Sequence, residues 1–274
     1  KLHKLNGGIN TDTGLLIGIV SVFFVAILMS MVGRGGGNFY VPILVFLGLE
    51  IHQAATTAQF ILIAAAVASA LIYNKHRTLD WKLALLIEPP TNIGAFIGGY
   101  YSHVFTGTTL KFVFSGLLVL ASLFMLRPVR EKAYDGVKKK GYWYREFGGY
   151  RYAVPLWVAV PVTFCTGLAA GLAGVSGGSF KIPLMVLACG VPMRIAVGTS
   201  SAMVAATATS GFIGHALRGD FNPEWAIPIA AAAVVGGLLG GRLSVKTDPD
   251  KLKLVFAGTT LLAAVFMLAN AIMT

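Results

Sequence analysis

The sequence predicts an all-α integral membrane protein built from two homologous halves. Three observations support this prediction: the chain is 56% hydrophobic, only 12% of its residues are charged, and one glycine-rich motif occurs twice. A soluble domain carries roughly 25% charged residues, so the long apolar stretches indicate membrane spans rather than one buried core. The formal net charge of +11 is then explained by cations between the spans, and not by a nucleic-acid-binding surface.

The repeated motif marks a break in each half. The first copy is Gly33-Arg34-Gly35-Gly36-Gly37-Asn38-Phe39-Tyr40-Val41-Pro42, and the second is Gly174-Val175-Ser176-Gly177-Gly178-Ser179-Phe180-Lys181-Ile182-Pro183. With a shift of one residue, the match continues through the pairs Thr57/Thr199 and Gly94/Gly236. A duplicated hydrophobic half that is interrupted at a matching glycine-rich point is typical of membrane transporters, and the interruption indicates the binding site.

Eight apolar stretches approach the ~20 residues that a helix needs to cross ~30 Å of hydrocarbon. They cover about 13–33, 54–73, 83–105, 110–126, 153–173, 196–217, 225–243 and 252–273. Two shorter stretches, 39–49 and 180–190, follow the glycine-rich motifs. Each has a proline near its start, where the first turn of a helix tolerates it. We therefore predict eight long spans and two short half-helices that begin at unwound glycine-rich loops.

A polar linker, residues 127–152, separates the first transmembrane repeat (1–126) from the second (153–274). The linker holds eight cations against three anions, and the positive-inside rule therefore places it in the cytoplasm. Equivalent loops of the two halves differ in charge: 75–82 is basic, whereas 218–224 is not. This difference favours an inverted repeat, in which the halves insert with opposite orientation. A parallel repeat with re-entrant short stretches is the alternative.

The two glycine-rich loops are the predicted binding site. Non-helical backbone is tolerated at membrane depth only where protein or a water-filled cavity covers it, so both loops should face inward. Amides at the start of each half-helix then offer donors and a positive dipole end to an anion. The candidate residues are Gly36, Gly37, Asn38, Gly177, Gly178 and Ser179, with Thr57 and Thr199 close by. The competing interpretation is that the glycines only permit close helix packing.

Three charged residues extend this hypothesis. Arg34 and Lys181 lie beside the two motifs and can either neutralise an anionic substrate or extend to the lipid headgroups. Glu88 lies between apolar stretches, and an acid at membrane depth indicates proton coupling unless it ends a span in water. The sequence shows no metal-ligand cluster, nucleophile triad or phosphate-binding loop. We therefore expect no catalytic residue, no metal and no cofactor.

The doubled pattern resembles the TauE/SafE family, also called sulfite exporters. The resemblance rests on Gly33 to Pro42 in the first half and on Ala170 to Pro183 in the second, and it covers nearly the whole chain. It implies a multi-pass transporter in the cytoplasmic membrane of a prokaryote that moves sulfite or an organosulfonate. Arg34 and Ser176 depart from the family pattern, which has a small or apolar residue and a glycine at these places.

These observations together lead us to expect an ion-coupled carrier for a small anion. Its partners would be the anionic substrate and the lipid bilayer, with no nucleic acid, and a homo-oligomer stays open. An anion channel and an integral-membrane enzyme are the alternative functions. An enzyme would need a metal cluster or a catalytic dyad within the spans, and the sequence offers neither.

Overall fold

The computed structural model of the chain describes residues 11–100, 107–126, 140–173, 178–216 and 221–273. Within these residues the chain forms ten helices and one β-hairpin. The helices before the hairpin are α1 (Thr11–Met31), α2 (Gly37–Phe46), α3 (Ile51–Lys75), α4 (Trp81–Tyr100) and α5 (Gly107–Leu126). The hairpin strands are β1 (Tyr142–Phe147) and β2 (Tyr150–Pro155). The helices after it are α6 (Leu156–Ala173), α7 (Gly178–Pro183) with a π-helical turn (Leu184–Ala188), α8 (Met193–Ala216), α9 (Pro223–Lys246) and α10 (Pro249–Met273).

The first glycine-rich loop reverses the chain between α1 and α2. Gly35 and Gly36 have φ angles of 73° and 94°, which residues with a side chain rarely adopt. Gly36 lies beside Met29 near the end of α1, whereas Leu47, which follows α2, contacts Gly18 further back along α1. The 10 residues of α2 rise about 15 Å, roughly half of the hydrocarbon thickness. α2 is therefore a half-helix that returns along α1.

Helices α1 and α9 run in the same direction. Gly18 in the first half of α1 contacts Ile229 near the start of α9, and Gly240 near the end of α9 contacts Ser30 near the end of α1. The end of α3 joins them, because the Tyr73 hydroxyl donates a 2.7 Å hydrogen bond to the carbonyl oxygen of Ser30. Elements of the two halves are thus packed together, rather than forming two separate bundles.

Helices α3 and α8, which are equivalent in the repeat, cross in opposite directions. Ser69 near the end of α3 lies 3.4 Å from Ser201 in the first half of α8, measured between the hydroxyl oxygens. Gln59 near the start of α3 contacts Gly211 near the end of α8. The repeat relates Gln59 to Ser201 and Ser69 to Gly211, each 142 positions apart. The two contacts are therefore equivalent to each other.

A second pair of equivalent contacts joins the halves through glycines. A side chain at Gly94 of α4 would collide with the backbone carbonyl of Phe164 in α6. A side chain at Gly236 of α9 would likewise approach the carbonyl of Phe23 in α1. These four residues correspond pairwise in the repeat. Helix α4 therefore packs on α6 as α9 packs on α1, with small residues allowing the backbones to approach closely.

The β-hairpin is an element that the sequence analysis missed. Its strands pair antiparallel, and Phe147 and Tyr150 are the last pair before the turn. Gly148 and Gly149 form the turn with φ angles of 61° and 83°, as the favoured two-residue hairpin turn requires. The strands extend from the end of the 127–152 segment, which the sequence analysis treated as a polar linker, to Pro155.

The outer surface of the helices is apolar, as expected of a membrane protein. Phe96 is 77% exposed and Leu85 is 71% exposed, and many other large apolar side chains are exposed as well. A surface with so many exposed apolar side chains is unusual for a water-soluble monomer. By length and composition, three helices in the described part of the chain are suited to cross a membrane: Asp12–Met31, His52–Lys75 and Pro223–Lys246. The molecule is a predominantly helical membrane protein.

Candidate functional site

The first glycine-rich loop lies in the wedge between α3 and α8. A side chain at Gly33 would collide with the carbonyl of Val197 at the start of α8. A side chain at Gly35 would collide with Leu62 of α3 and come within 2.7 Å of Val204 in α8. The loop is buried, so its non-helical backbone faces protein from both halves rather than lipid.

The start of α2 directs backbone amides toward this loop. Gly36 precedes the helix and accepts a 2.9 Å hydrogen bond from the amide of Phe39, and Gly37 is the first helical residue. The first amides of a helix have no acceptor within it, and they form its positive end. Of the other loop candidates, Gly178 is the first residue of α7, whereas Gly177 and the side chains of Asn38 and Ser179 lie outside the described residues.

The paired hydroxyls of α3 and α8 are both fully buried but differ in their partners. Thr199 accepts a 3.1 Å hydrogen bond from the backbone amide of Asp80, which precedes α4. Thr57 has no hydrogen-bond partner for its hydroxyl within the described part of the chain, and neither does Ser200. Asn222 corresponds to Asp80 in the repeat but makes no equivalent bond to Thr57. This bond, which ties the start of α4 to α8, is therefore made at one of the two equivalent places and not at the other.

Arg34 extends into the protein rather than to the lipid headgroups. Its side chain is 4% exposed, and Nη1 donates a 2.7 Å hydrogen bond to the hydroxyl of Thr260 in α10. The guanidinium also lies 5.3 Å from the centre of the Phe256 ring, within the range of a cation–π interaction. Arg34 thus joins the first glycine-rich loop to the last helix of the second half.

Lys181, Glu88 and Thr207 form a buried polar cluster between α7, α4 and α8. The Lys181 ammonium donates a 2.6 Å hydrogen bond to Oε2 of Glu88 and a 3.2 Å bond to the hydroxyl of Thr207. That hydroxyl lies 2.6 Å from Oε1 of Glu88, so each carboxylate oxygen has one donor. The Lys181 side chain is 1% exposed and the Glu88 side chain 11%. The sequence predicted both charged residues as functional, and the structure brings them together.

The local sequence explains how the helices present this cluster. Pro89 and Pro90 follow Glu88 inside α4, and their rings remove two backbone donors from the helix ladder. Lys181 lies just before Pro183, where α7 changes to a π-helical turn. Both helices are therefore irregular at the cluster, and π-helical turns are frequent at functional sites.

The cluster has no charged equivalent at the place where the repeat would put a second copy of it. The repeat places Tyr40 opposite Lys181, Ala230 opposite Glu88 and Ala65 opposite Thr207. All three are buried, and the Tyr40 hydroxyl has no hydrogen-bond partner within the described residues. The charge pair therefore marks one location, although the backbone scaffold is duplicated.

A second ionic cluster attaches the hairpin to the helices. The Asp80 carboxylate is fully buried and accepts hydrogen bonds from Arg145 Nε at 2.7 Å and Nη2 at 3.1 Å. The hydroxyl of Tyr152 adds a bond of 2.6 Å, and the amide of Lys82 adds one of 3.0 Å. Because the Asp80 amide also bonds to Thr199, the hairpin, α4 and α8 meet at this one residue. We call the Asp80, Arg145 and Tyr152 cluster the hairpin latch.

Electrostatics favour the ionised form of the latch. Burial alone raises the pKa of the Asp80 carboxyl, but hydrogen bonds from Arg145 and Tyr152 outweigh it and hold that pKa below the ordinary 3.8. The hydrogen bond to Asp80 raises the pKa of the Arg145 guanidinium. Burial and the neighbouring carboxylate raise the pKa of the Tyr152 hydroxyl. Asp80 is therefore ionised at neutral pH, with Tyr152 as a neutral donor.

A cavity of about 470 Å³ opens beside the hairpin turn. It is bounded by Gly149 of the turn, by His76 and Arg77 after α3, and by Arg194 at the start of α8. Together with Arg145 of the latch, Arg77 and Arg194 concentrate positive charge at this end of the molecule. Such a bias is typical of the cytoplasmic side of a membrane protein.

Asp80 and Thr207 are functional candidates that the sequence analysis did not single out. Asp80 is the one acid in the basic 75–82 loop, and Thr207 is one of many small polar residues in α8. The hairpin itself had a usable signal: Gly148-Gly149 between two stretches rich in aromatic residues is typical of a two-residue hairpin turn. Nothing local in the sequence indicates that Thr207 contacts Glu88.

The described residues contain no group of three or more His, Cys, Asp or Glu side chains that is placed to hold a metal ion. Two buried carboxylates, Asp80 and Glu88, are instead paired with cations, Arg145 and Lys181 respectively. These pairs hold charge inside the protein.

The sequence of the chain is similar to those of known membrane transporters. Residues 18–267 match the sulfite exporter TauE/SafE family. A probable membrane transporter protein of Bacillus subtilis, YunE, is 28% identical over 241 residues, which cover 82% of this chain and 87% of that protein. A probable membrane transporter protein of Methanocaldococcus jannaschii is 24% identical over 270 residues, 91% of this chain and 94% of that protein. No solved structure gives a significant match. The family match spans most of the sequence, and this chain therefore belongs to the sulfite exporter TauE/SafE family of membrane transporters.

Proposed function

We propose that this protein is a secondary carrier that moves a small anion across the cytoplasmic membrane of a prokaryote, with sulfite or an organosulfonate as the substrate. The observation that supports this is the burial of Lys181, whose side chain is 1% exposed and pairs with the Glu88 carboxylate. A buried ammonium is costly unless an anion accompanies it. A sulfite or sulfonate group offers the same kind of oxygen acceptors as the carboxylate, so it can take that place.

The glycine-rich loops complete the proposed anion site. The amides at Gly36 and Gly37 lie at the positive end of α2, and such helix starts favour oxyanions. Asn38, Gly177, Gly178 and Ser179 belong to the same proposal, since they occupy the matching loop positions. The hydroxyls of Thr57 and Ser200, which have no hydrogen-bond partner within the described residues, also fit a site that exchanges water and ligand, because buried polar groups normally have a partner.

We further propose that the two halves, 1–126 and 153–274, form an inverted repeat. The support is the crossing of α3 and α8, which correspond in the repeat and yet run antiparallel, through Ser69 with Ser201 and Gln59 with Gly211. Halves related by an axis along the membrane normal would have equivalent helices running in the same direction. Five helical segments in each half, counted within the described residues, also fit insertion with opposite orientation.

A carrier is favoured over an open channel by the same ion pair. Lys181 and Glu88 join α7 to α4 across the boundary between the halves, and the pair must separate before an anion binds to the ammonium. A pore with a continuous water path needs no such step. Carrier transport should therefore saturate with substrate concentration, whereas flux through a channel rises further.

Transport into liposomes tests the proposed function. Purified protein should take up labelled sulfite or sulfoacetate with saturable kinetics, and Lys181→Gln should abolish uptake because it removes the buried cation. The control is Lys253→Gln, which removes a lysine from an ion pair at the start of α10 in which Asp250 is 86% exposed. Normal uptake by folded Lys181→Gln protein, or equal loss in the control, would contradict the proposal.

Labelling of single cysteines tests the orientation of the halves. Cys165 and Cys189 are first replaced by alanine, and Lys75→Cys and Glu224→Cys are then made one at a time. Both positions are exposed. Lys75 ends α3 and Glu224 lies at the start of α9, next to loops that correspond in the repeat. The inverted arrangement predicts that an impermeant maleimide reaches these two cysteines from opposite sides of the membrane. Labelling of both from the same side would rule out inversion.

A further inference from the structure

The Lys181 ammonium already has an anionic ligand, and that ligand belongs to the protein. Glu88 Oε2 lies 2.6 Å from Lys181 Nζ, which is the distance of a strong charge-assisted hydrogen bond. The Lys181 side chain is 1% exposed, so there is little room for a second anion beside the first. The Glu88 carboxylate therefore occupies the place that a substrate oxyanion would take.

Replacement of one anion by another depends on the charge of Glu88. If Glu88 stays ionised, an anion that binds Lys181 leaves a carboxylate buried without its cation and close to another negative charge, which costs several kcal/mol. If Glu88 takes up a proton, the ammonium loses its partner and attracts the anion instead. Binding of the proton and binding of the anion therefore favour each other.

From this geometry we infer that the protein is a proton–anion symporter, in which Glu88 is the proton site and competes with the substrate for Lys181. The inference rests on the proposed function, and it adds the coupling ion and the sign of the coupling. For a monovalent sulfonate, the proton and the anion cross together without net charge. Linkage is reciprocal, so the anion must raise proton affinity by the same factor as the proton raises anion affinity.

Among the described residues, Lys181 is the charged partner of Glu88. Helix α7 contributes Lys181, and α8 contributes the uncharged hydroxyl of Thr207. Helix α6, which packs on α4, has Cys165 as its one ionisable side chain, and residues 169–177 include none in the sequence. The other charges of the α4 segment, Asp80 and Lys82, are at its opposite end in the hairpin latch region. The coupling therefore involves one carboxylate and one ammonium.

Thr207 is a positioning residue that can follow the charge of Glu88. Its single hydroxyl proton has two acceptors, Glu88 Oε1 at 2.6 Å and the carbonyl oxygen of Met203 at 2.8 Å. Beside an ionised Glu88 the hydroxyl donates to the carboxylate. Beside a protonated Glu88 it can turn to the Met203 carbonyl and accept the new carboxyl proton. The cluster thus has a hydrogen-bonded arrangement for each protonation state.

The repeat holds one charged cluster and not two, and this determines how many protons are coupled to each anion. The positions equivalent to Lys181 and Glu88 are Tyr40 and Ala230, which hold no charge at neutral pH. One cluster therefore serves each chain, and we expect one proton per anion rather than two.

Calorimetry on the intact protein in detergent tests this inference without any variant. The probe is methanesulfonate, because a sulfonate does not titrate in the range used and any proton uptake then belongs to the protein. Titrations in two buffers with different ionisation enthalpies give the number of protons taken up. Where Glu88 is ionised we expect one proton per anion, and the Kd should rise about tenfold for each unit of pH.

Two variants and a control assign the effect to Glu88. Glu88→Gln, which stays neutral, should bind methanesulfonate with no proton uptake and with a Kd that does not change with pH. Thr207→Val should keep the uptake of one proton but shift the pH at which half of it occurs. Glu224→Gln, which changes an exposed glutamate at the start of α9, should behave as the unaltered protein does.

The outcomes separate this inference from the proposed function. Binding of methanesulfonate without proton uptake, or with proton release, would overturn the symport inference and leave an anion carrier. Proton uptake that persists in Glu88→Gln would overturn the assignment of Glu88. Failure of methanesulfonate, sulfite and sulfoacetate to bind at any pH would overturn the proposed anion function, and the inference would fall with it.

Discussion

The hairpin latch should contribute several kcal/mol to the docking of the hairpin, and Asp80→Asn tests this. The change keeps the size of the side chain but removes the charge that pairs with Arg145. Three short hydrogen bonds are affected, at 2.7 and 3.1 Å from Arg145 and 2.6 Å from Tyr152. Breaking a buried ion pair costs about 3–5 kcal/mol. Because the Arg145 side chain is 22% exposed, water can hydrate the unpaired guanidinium and lower this cost, and we expect a loss of about 3 kcal/mol.

Hydrogen exchange of the hairpin amides measures this cost directly. A loss of about 3 kcal/mol should increase local opening, and with it the exchange rate of strands β1 and β2, by about 100-fold. The same hairpin offers a matched control, since Arg151 pairs with Glu146 at 3.0 Å but both side chains are about two-thirds exposed (65% and 67%). Exposed pairs contribute about 0–1 kcal/mol, so Arg151→Gln should change exchange about fivefold at most.

A double-mutant cycle then assigns the energy to the Asp80–Arg145 pair. Asp80→Asn, Arg145→Gln and the double variant should give a coupling energy of about 2 kcal/mol or more. The equivalent cycle on Glu146 and Arg151 should give about 0.5 kcal/mol or less. Equal exchange in Asp80→Asn and Arg151→Gln would refute the reasoning, because burial would then make no difference to the strength of the pair.

Three further predictions follow from other contacts. Gly94→Ala should destabilise the protein by about 1–3 kcal/mol in thermal unfolding, because its Cβ would overlap the α6 backbone, whereas Gly116→Ala should not, because no atom lies within 4 Å of that Cβ. Thr199→Val should cost about 1 kcal/mol through its lost hydrogen bond, and Thr57→Val should be neutral or stabilising in the same assay. Because the folded pKa of Asp80 lies below the unfolded 3.8, its stabilising effect is complete above that pH and is lost as the pH falls through the folded pKa. Hydrogen exchange of the hairpin amides, corrected for intrinsic rates, should therefore show that the hairpin stays docked at neutral pH and opens more often only below about pH 4. Increased opening near neutral pH would contradict this.

The class of the protein and its internal repetition follow from the sequence alone. Apolar stretches of span length, a charge content of 12% and the doubled glycine-rich motif are local properties, and each requires only the residues themselves. The break between α1 and α2 follows for the same reason. The chain needs glycine where φ is positive, and Gly35 and Gly36 supply it. The hairpin was equally predictable from Gly148-Gly149, but the polar character of the linker obscured it.

The partners of the charged residues were settled by tertiary structure. The sequence indicated that Lys181 and Glu88 matter, but the two are 93 positions apart, and no local pattern shows that they touch. Thr207 and Asp80 had no distinguishing signal, because their importance comes from what packs against them. The repeat would also allow two equivalent charge pairs, whereas the structure pairs Lys181 with Glu88 at one place and has Tyr40 and Ala230 at the equivalent place.

The physical reason for this division lies in the range of the interactions. Hydrophobicity, glycine conformation and proline chemistry act over a few residues, so the sequence alone determined a helical, repeated membrane protein with breaks at defined points. Packing between helices depends on which faces meet, and that is decided by the whole assembly of α3, α4, α7 and α8. Only the tertiary structure, which brings a buried carboxylate next to a buried ammonium, decided where this charge pair lies.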